Sequence, residues 1–224
     1  MKRLLLPAIL ACALPTVRAE LSLKEVRTAA DDVLVAYFQS TIVQADEVNL
    51  TDPALWRFDG RAVVATNRFV TEADKCDHHV YLQVPRLVSG RTYTLETPHG
   101  RNEFVFDDRQ TLCESIKVNQ NAYSAVSKVR YANFAIWLGD GGARPIRGDL
   151  PSYTVFEPFT GRTITQGTLK EIGSDESSGD FVYRIDLSSV PEGGPYRVSV
   201  QGYGCSYPFG VGGDFSRRLG HVSF

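Results

Sequence analysis

The sequence predicts an all-β protein built from two tandem β-sandwiches. After residue 20, apolar and polar residues alternate with a period of two, as at residues 80–84, 181–187 and 196–200. Turn residues interrupt this alternation about every 8–12 positions, which is typical of the short strands of sandwiches and barrels. The alternating pattern then occurs a second time along the chain, and this indicates two copies of one domain.

Residues 1–19 have the pattern of an export signal. Two basic residues begin the segment, residues 4–14 are apolar, and residues 17–19 form a small-x-small cleavage site before Glu20. The apolar run is too short to cross a bilayer. We therefore expect a secreted or periplasmic protein without a transmembrane segment. An alternative is a lipoprotein acylated at Cys12, although Leu10 fits the lipoprotein motif poorly.

Composition and motifs exclude several classes of function. The formal net charge is −2, so the chain lacks the basic surface that nucleic acids require. The sequence contains no G-x-S-x-G, P-loop, H-E-x-x-H or dinucleotide-binding motif. We therefore expect no cofactor and no nucleic-acid partner.

The internal repeat is clearest at an offset of 103 residues, where alternating positions and turn glycines coincide. The aligned pairs include Val80 with Tyr183, Leu82 with Ile185, Gly90 with Gly193, Tyr93 with Tyr196, Phe104 with Tyr207 and Phe106 with Phe209. At an offset of 101, two Phe-x-Gly-Arg turns align at Phe58 and Phe159. The repeat predicts a first domain at residues 20–112 and a second at residues 113–224.

Each copy contains a Gly-x-x-Tyr-x-aliphatic segment, around Tyr93 and Tyr196. This segment resembles the tyrosine corner of immunoglobulin-like sandwiches, in which a tyrosine hydroxyl bonds to the backbone beside a turn. We therefore expect two immunoglobulin-like β-sandwiches, with both tyrosines buried at equivalent positions.

Three cysteines follow the export signal: Cys76, Cys113 and Cys205. In an oxidising compartment they can form at most one disulfide within the chain. Cys76 and Cys113 lie in or beside the first predicted domain. We therefore predict a Cys76–Cys113 disulfide and a buried free thiol at Cys205.

Few residues suggest a catalytic, metal-binding or ligand-binding site. The Cys-Asp-His-His run at residues 76–79 contains metal-ligating residue types, but adjacent strand residues point to opposite faces, so His78 and His79 cannot easily share an ion. The acidic residues lie in apparent turns, where Asp bonds to nearby backbone, rather than as the opposed pair of a glycosidase. No catalytic or metal-binding residue is predicted. Trp56 and Tyr203 are the candidates for an aromatic carbohydrate-binding surface.

Several features of the second half follow the order of a known family. Residues 116–123 contain an Asn-Gln-x-x-Tyr motif, and Thr160-Gly161, Asp186-Leu187 and the Tyr-Pro-Phe at residues 207–209 follow. Residues 114–224 thus resemble the N-terminal immunoglobulin-like domain of family 9 glycoside hydrolases, which include cellulases. The resemblance implies a non-catalytic module that packs beside an (α/α)6 catalytic barrel, in the same chain or a separate one, and takes part in breakdown of cellulose or another β-glucan. The family's Asp-Ala-Gly-Asp motif is absent, so no catalytic residue is carried over.

Two other functions stay open: a stand-alone carbohydrate-binding protein and a cell-surface adhesion protein, because a sandwich fold permits both. A row of aromatic side chains on one sheet face would favour carbohydrate binding. An exposed apolar patch at residues 215–224 would favour a module separated from its barrel.

Overall fold

The computed structural model describes residues 21–40, 50–72 and 76–213. Within these ranges the regular structure consists of strands and two 3-10 turns, Pro53–Leu55 and Gly139–Gly141. Neither turn is long or apolar enough to cross a membrane. The predictions about the export signal, Cys12 and residues 215–224 concern parts of the chain outside the described residues.

The described residues of the first half, 21–40, 50–72 and 76–112, contain eight strands that form two sheets. They are β1 (Leu21–Ala30), β2 (Val33–Ser40), β3 (Arg57–Phe58), β4 (Arg61–Ala62), β5 (Thr66–Glu72), β6 (Cys76–Gln83), β7 (Thr92–Thr97) and β8 (Gly100–Val105). One sheet has the order β1-β2-β6-β5 and the other β4-β3-β7-β8, and all neighbouring strands are antiparallel.

The second half repeats this arrangement. Its strands are β9 (Ile116–Lys117), β10 (Tyr131–Phe134), β11 (Ile136–Trp137), β12 (Ala143–Arg144), β13 (Ser152–Phe156), β14 (Thr163–Thr168), β15 (Lys170–Ser174), β16 (Phe181–Asp186), β17 (Gly193–Val200), β18 (Gly204–Cys205) and β19 (Phe209–Val211). The two larger sheets are β9-β10-β16-β15 and β14-β13-β17, with β18 and β19 both pairing with β17, and β11-β12 form a separate two-stranded sheet. The all-β fold with sandwich architecture is confirmed.

The two tyrosines lie on equivalent strands, as the repeat predicts. Tyr93 on β7 and Tyr196 on β17 are both buried. The backbone N–H of Val88 donates to the Tyr93 hydroxyl over 2.8 Å, which is the bond expected of a tyrosine corner. Among the hydrogen bonds of the described residues, the Tyr196 hydroxyl has no counterpart of this bond.

Three aligned pairs of the repeat are wrong: Phe104 with Tyr207, Phe106 with Phe209, and Phe58 with Phe159. Phe104 lies opposite Tyr93, whereas Phe209 lies opposite Tyr196, so the counterpart of Phe104 is Phe209 rather than Tyr207. The turn after β17 is longer and contains β18, which shifts the register that a fixed offset assumes. Phe159 is likewise not the counterpart of the buried Phe58, because it lies in the turn after β13.

Within the sheet β1-β2-β6-β5, strand β2 is buried on both faces. On β2, Leu34, Ala36 and Phe38 belong to the core of the first sandwich. The alternate residues Val33 and Val35 belong to the core of the second sandwich. The continuous apolar run of β2 therefore has a physical cause: both sets of side chains leave water when the two halves pack together.

Backbone hydrogen bonds continue across the segment that links the two halves. The N–H of Thr28 donates to Leu112 O over 2.9 Å, and the N–H of Glu114 donates to Thr28 O over 2.9 Å. On the other side, the N–H of Cys205 donates to Thr111 O over 2.8 Å. Through these bonds the link bridges β1 of the first half and β18 of the second.

The predicted Cys76–Cys113 disulfide is wrong. Cys113 has a free, buried thiol and pairs through its backbone with Thr28, which lies level with Leu82 of β6. Cys76 begins β6 six residues before Leu82, so its backbone lies about 20 Å away at the rise of a strand. A disulfide requires Cα atoms within about 7 Å of each other. The free thiol predicted at Cys205 is confirmed and is buried.

Candidate functional site

The two predicted carbohydrate-binding residues are not surface platforms. Trp56 is wholly buried, its indole N–H donates to Leu50 O over 3.0 Å, and its ring packs edge-on against Phe38 at 5.8 Å. Tyr203 is 6% exposed and packs edge-on against Phe134 at 5.2 Å. The structure contradicts both predictions, because the two aromatic side chains are buried and a sugar ring needs an open aromatic face on which to stack.

Tyr203 instead forms part of the wall of a cleft between the two sandwiches. The cleft has a volume of about 550 Å³ and is lined by side chains of both halves. Its polar lining includes Asp31, Asp32, Gln83, Arg86, Arg144 and Arg147. No sequence motif indicated this cleft, because its walls come from turns that are far apart in the chain.

The carboxylates of the cleft are held in ion pairs. Arg144 Nη2 lies 2.5 Å from Asp32 Oδ1, and the amide of Gln83 donates to Asp32 Oδ2 over 2.9 Å. Arg86 Nε lies 2.7 Å from Asp31 Oδ2. Burial by itself raises the pKa of Asp32, but hydrogen bonds from Arg144 and Gln83 outweigh it and hold the pKa below its ordinary value. An ionised, paired carboxylate cannot serve as the proton donor of a glycosidase at neutral pH.

A second polar cluster surrounds Glu114 in the link between the halves. The hydroxyl of Tyr81 donates to Glu114 Oε2 over 3.2 Å. Glu114 Oε1 lies 3.7 Å from both Arg27 Nη1 and His79 Nδ1. Burial and the nearby Glu114 carboxylate raise the pKa of Tyr81, so its hydroxyl stays protonated as a donor. The cluster fixes the link to the face of β1 and β6.

Beside Glu114, three rings form a row across the strands β5, β6 and β2. Phe69 pairs with His79, and His79 pairs with Tyr37. Their ring centroids are 5.4 Å and 3.9 Å apart, and the Arg27 guanidinium lies 4.1 Å above the Tyr37 ring. Phe69 is 44% exposed. The ring planes meet at 88° and 47°, so the row is not a flat stacking platform.

His78 points to the opposite face from His79, as the strand geometry predicts. Arg68 Nη2 lies 2.6 Å from His78 Nδ1, on the side of the first core. Burial and the Arg68 guanidinium lower the pKa of His78 to about 4, so its ring is neutral at neutral pH. In the described ranges, no group of three His, Cys, Asp or Glu side chains could hold a metal ion.

Other acidic residues cap turns. Asp107 Oδ1 accepts the N–H of Arg109 over 2.7 Å, and Asp175 Oδ1 accepts the N–H of Ser177 over 3.1 Å. Asp108 accepts the N–H of Gly202 over 3.0 Å, and burial raises its pKa. These bonds agree with the turn assignment, since each carboxylate satisfies a backbone donor.

Comparison with known proteins gives one match to a family. Residues 112–204, which form most of the second sandwich, match the model of the cellulase N-terminal Ig-like domain. The match covers less than half of the chain. No curated protein matches the sequence.

Solved structures similar to parts of the chain include a metagenome-derived glycoside hydrolase family 9 endoglucanase. It is 32% identical over 43% of this chain and 18% of its own, with a TM-score of 0.35. Pullulanase type I from Bacillus subtilis str. 168 is 10% identical over 84% of this chain and 24% of its own, with a TM-score of 0.26. Domains A168–A170 of titin are 14% identical over 85% of this chain and 63% of their own, with a TM-score of 0.18. The chain therefore spans about a fifth of the endoglucanase.

Proposed function

We propose that this chain is a non-catalytic, immunoglobulin-like module of a secreted family 9 type glycoside hydrolase. In this proposal it supports a catalytic (α/α)6 barrel in the breakdown of cellulose or another β-glucan. The observation that carries the proposal is the match of residues 112–204 to the cellulase N-terminal Ig-like domain. Export rests on the signal pattern of residues 1–19.

The electrostatics of the cleft favour a module without its own hydrolytic site. Glycoside hydrolysis generally needs one carboxyl group with a raised pKa and a second that stays ionised across the scissile bond. In the cleft, Asp31 and Asp32 are each paired with an arginine. Asp108, whose pKa burial raises, is bonded to the turn at Gly202 and adjoins Asp107 in sequence. These environments suit structural carboxylates.

The shared apolar core at the junction of the two sandwiches suits a supporting role. The second core includes Ala29, Val33, Val35 and Tyr81 from the first half. The two sandwiches therefore share one apolar interface instead of being joined by a flexible linker. Two sandwiches joined in this way can hold a neighbouring catalytic barrel at a fixed position.

Carbohydrate binding is a second candidate function, and the ring row of Phe69, His79 and Tyr37 is the observation that favours it. Sugar sites combine aromatic surface with a few convergent polar groups, and Glu114 and Arg27 lie beside this row. The steep angles between the ring planes weaken this candidate, because successive sugar units stack on faces of similar orientation.

Two measurements on the purified chain separate these functions. The chain should release no reducing sugar from carboxymethyl cellulose or amorphous cellulose, and calorimetry should detect binding to a family 9 catalytic barrel produced without its own N-terminal module. Hydrolysis that one carboxylate substitution abolishes would contradict the proposal. Retardation in a β-glucan gel that Phe69→Ala removes, without binding to the barrel, would support the second candidate instead.

A further inference from the structure

The turn between β13 and β14 carries a large apolar side chain into solvent. Phe159 in this turn is 88% exposed, whereas Phe58, at the corresponding hairpin of the first sandwich, is 4% exposed. The tip of that first hairpin is formed by Asp59 and Gly60. The two copies thus differ in that only the second presents an aromatic ring at its tip.

The turn that holds Phe159 is closed by hydrogen bonds at its base. The N–H of Glu157 donates to Arg162 O, and the N–H of Gly161 donates to Glu157 O, both over 2.9 Å. The Arg162 guanidinium lies 2.6 Å from Glu157 Oε1. Arg109 also donates to Gly161 O over 3.0 Å. Because the backbone is held in place, a partner that buries Phe159 would have little loop entropy to overcome.

The strand register places this turn at the end of the sandwich where the described chain stops. Phe156 at the end of β13 pairs with Arg197 in the middle of β17, and because the strands are antiparallel the chain after Phe156 runs toward the start of β17. Val211 at the end of β19 pairs with Gly193, the first residue of β17. The segment that follows Gly213 therefore begins at the same end as the turn that carries Phe159.

Other exposed apolar residues lie at this end. Tyr123 pairs with Val211, and the Arg130 guanidinium donates to Val190 O over 2.8 Å, just before β17. The loop between Tyr123 and Arg130 carries Val126 and Val129, which are 91% and 69% exposed. We call Phe159, Val126 and Val129 the distal apolar surface.

We propose that the distal apolar surface is the docking site of a family 9 type catalytic barrel, with Phe159 as the central anchor. This inference rests on the proposed function and adds the surface that meets the partner. A barrel connected through the segment after Gly213 would be held close to this end, which raises its effective concentration there. A rigid aromatic side chain that enters an apolar pocket typically dominates an interface. At the base of the turn, the charges of Glu157 and Arg162 are paired with each other.

Calorimetric titration of the full chain with a family 9 catalytic barrel, produced without its own module, tests the docking site. Phe159→Ala should weaken binding roughly 10- to 100-fold, and Val126→Ala should weaken it less. The control Val64→Ala removes a side chain that is 79% exposed on the first sandwich, and it should leave the affinity within about twofold. Each variant should keep the thermal midpoint of the unbound chain, because these side chains are exposed.

The outcomes distinguish this inference from the proposed function. If the wild-type chain binds the barrel and Phe159→Ala binds equally well, the docking site is wrong while the proposed function stands. If the wild-type chain binds no separate family 9 barrel and does not stabilise one to which it is joined, both are overturned. Light scattering of the chain alone supplies a further check: a dimer that Phe159→Ala dissociates would show that a second copy occupies this surface, which contradicts the inference.

Discussion

Replacing Val35 with alanine removes two methyl groups from the interface between the two sandwiches. Val35 lies on β2 of the first sandwich, yet its side chain is wholly buried in the second core. Transfer of two methyl groups from water is worth about 1.6 kcal/mol at 0.8 kcal/mol each. The cavity left in a packed interface adds to this cost. We expect the free energy of unfolding to fall by about 2–3 kcal/mol.

The matched control is Val105→Ala on β8, where the side chain is 54% exposed. This substitution removes the same atoms from a surface strand and should cost less than about 0.5 kcal/mol. Equilibrium urea denaturation, followed by fluorescence and circular dichroism, measures both values. A shared interface also predicts one transition for the whole chain.

The reasoning would be refuted if Val35→Ala and Val105→Ala had equal effects. It would also be refuted by two separate transitions of which Val35→Ala shifts only the first. Either result would mean that the sandwiches fold independently and that β2 has one solvent-exposed face.

Three further predictions concern single side chains. Because the pKa of His78 is lowered in the folded protein, the unfolded chain binds more protons than the folded chain between pH 6.5 and about 4. The free energy of unfolding should therefore fall by about 2–3 kcal/mol as the pH drops through this window. His78→Gln should flatten that part of the pH profile. Burial raises the pKa of Cys113 to about 12 and also raises the pKa of Cys205, so both thiols should resist alkylation in the native protein and react in denaturant. Tyr93→Phe should cost about 1 kcal/mol through loss of its hydrogen bond, whereas Tyr196→Phe should cost less.

Each of these predictions has a control or a contradicting result. An unchanged pH profile in His78→Gln would contradict the assignment to His78. A peptide map under non-reducing conditions that shows Cys76 linked to Cys113 would contradict the corrected pairing. Equal losses of stability in the two Tyr→Phe variants would show that the bond to Val88 contributes nothing.

The sequence predicted the elements of the fold that depend on local alternation. Val80 and Tyr183 do lie on the equivalent strands β6 and β16, and Tyr93 and Tyr196 lie on β7 and β17. A fixed offset could not follow the longer turn after β17, which is why Phe104 was paired with Tyr207 instead of Phe209. Turn length varies between copies of a fold without changing which strands pair, so an alignment of two repeats at a fixed offset is least reliable across a turn.

The parts of the site that could not be predicted depend on contacts between distant segments. The apolar run of β2 is visible in the sequence, but only the packed structure shows that Val35 faces the second sandwich. Trp56 was a surface candidate because composition does not report burial, and its indole N–H is satisfied by Leu50 inside the first core. The ion pair of Asp32 with Arg144 joins residues 112 positions apart in the chain, so no local motif marks it.

The most direct test of the proposed function is the thermal midpoint of a family 9 catalytic barrel with and without this chain. Binding to the native barrel stabilises it by about 2.7 kcal/mol when the free chain is at 100 times its dissociation constant. The account predicts that the thermal midpoint of the barrel rises by several degrees as the concentration of the chain increases, with the dependence that mass action requires. Two results together would contradict it: the midpoint of a separate barrel stays the same at every chain concentration, and the midpoint of a barrel joined to the chain equals that of the barrel alone.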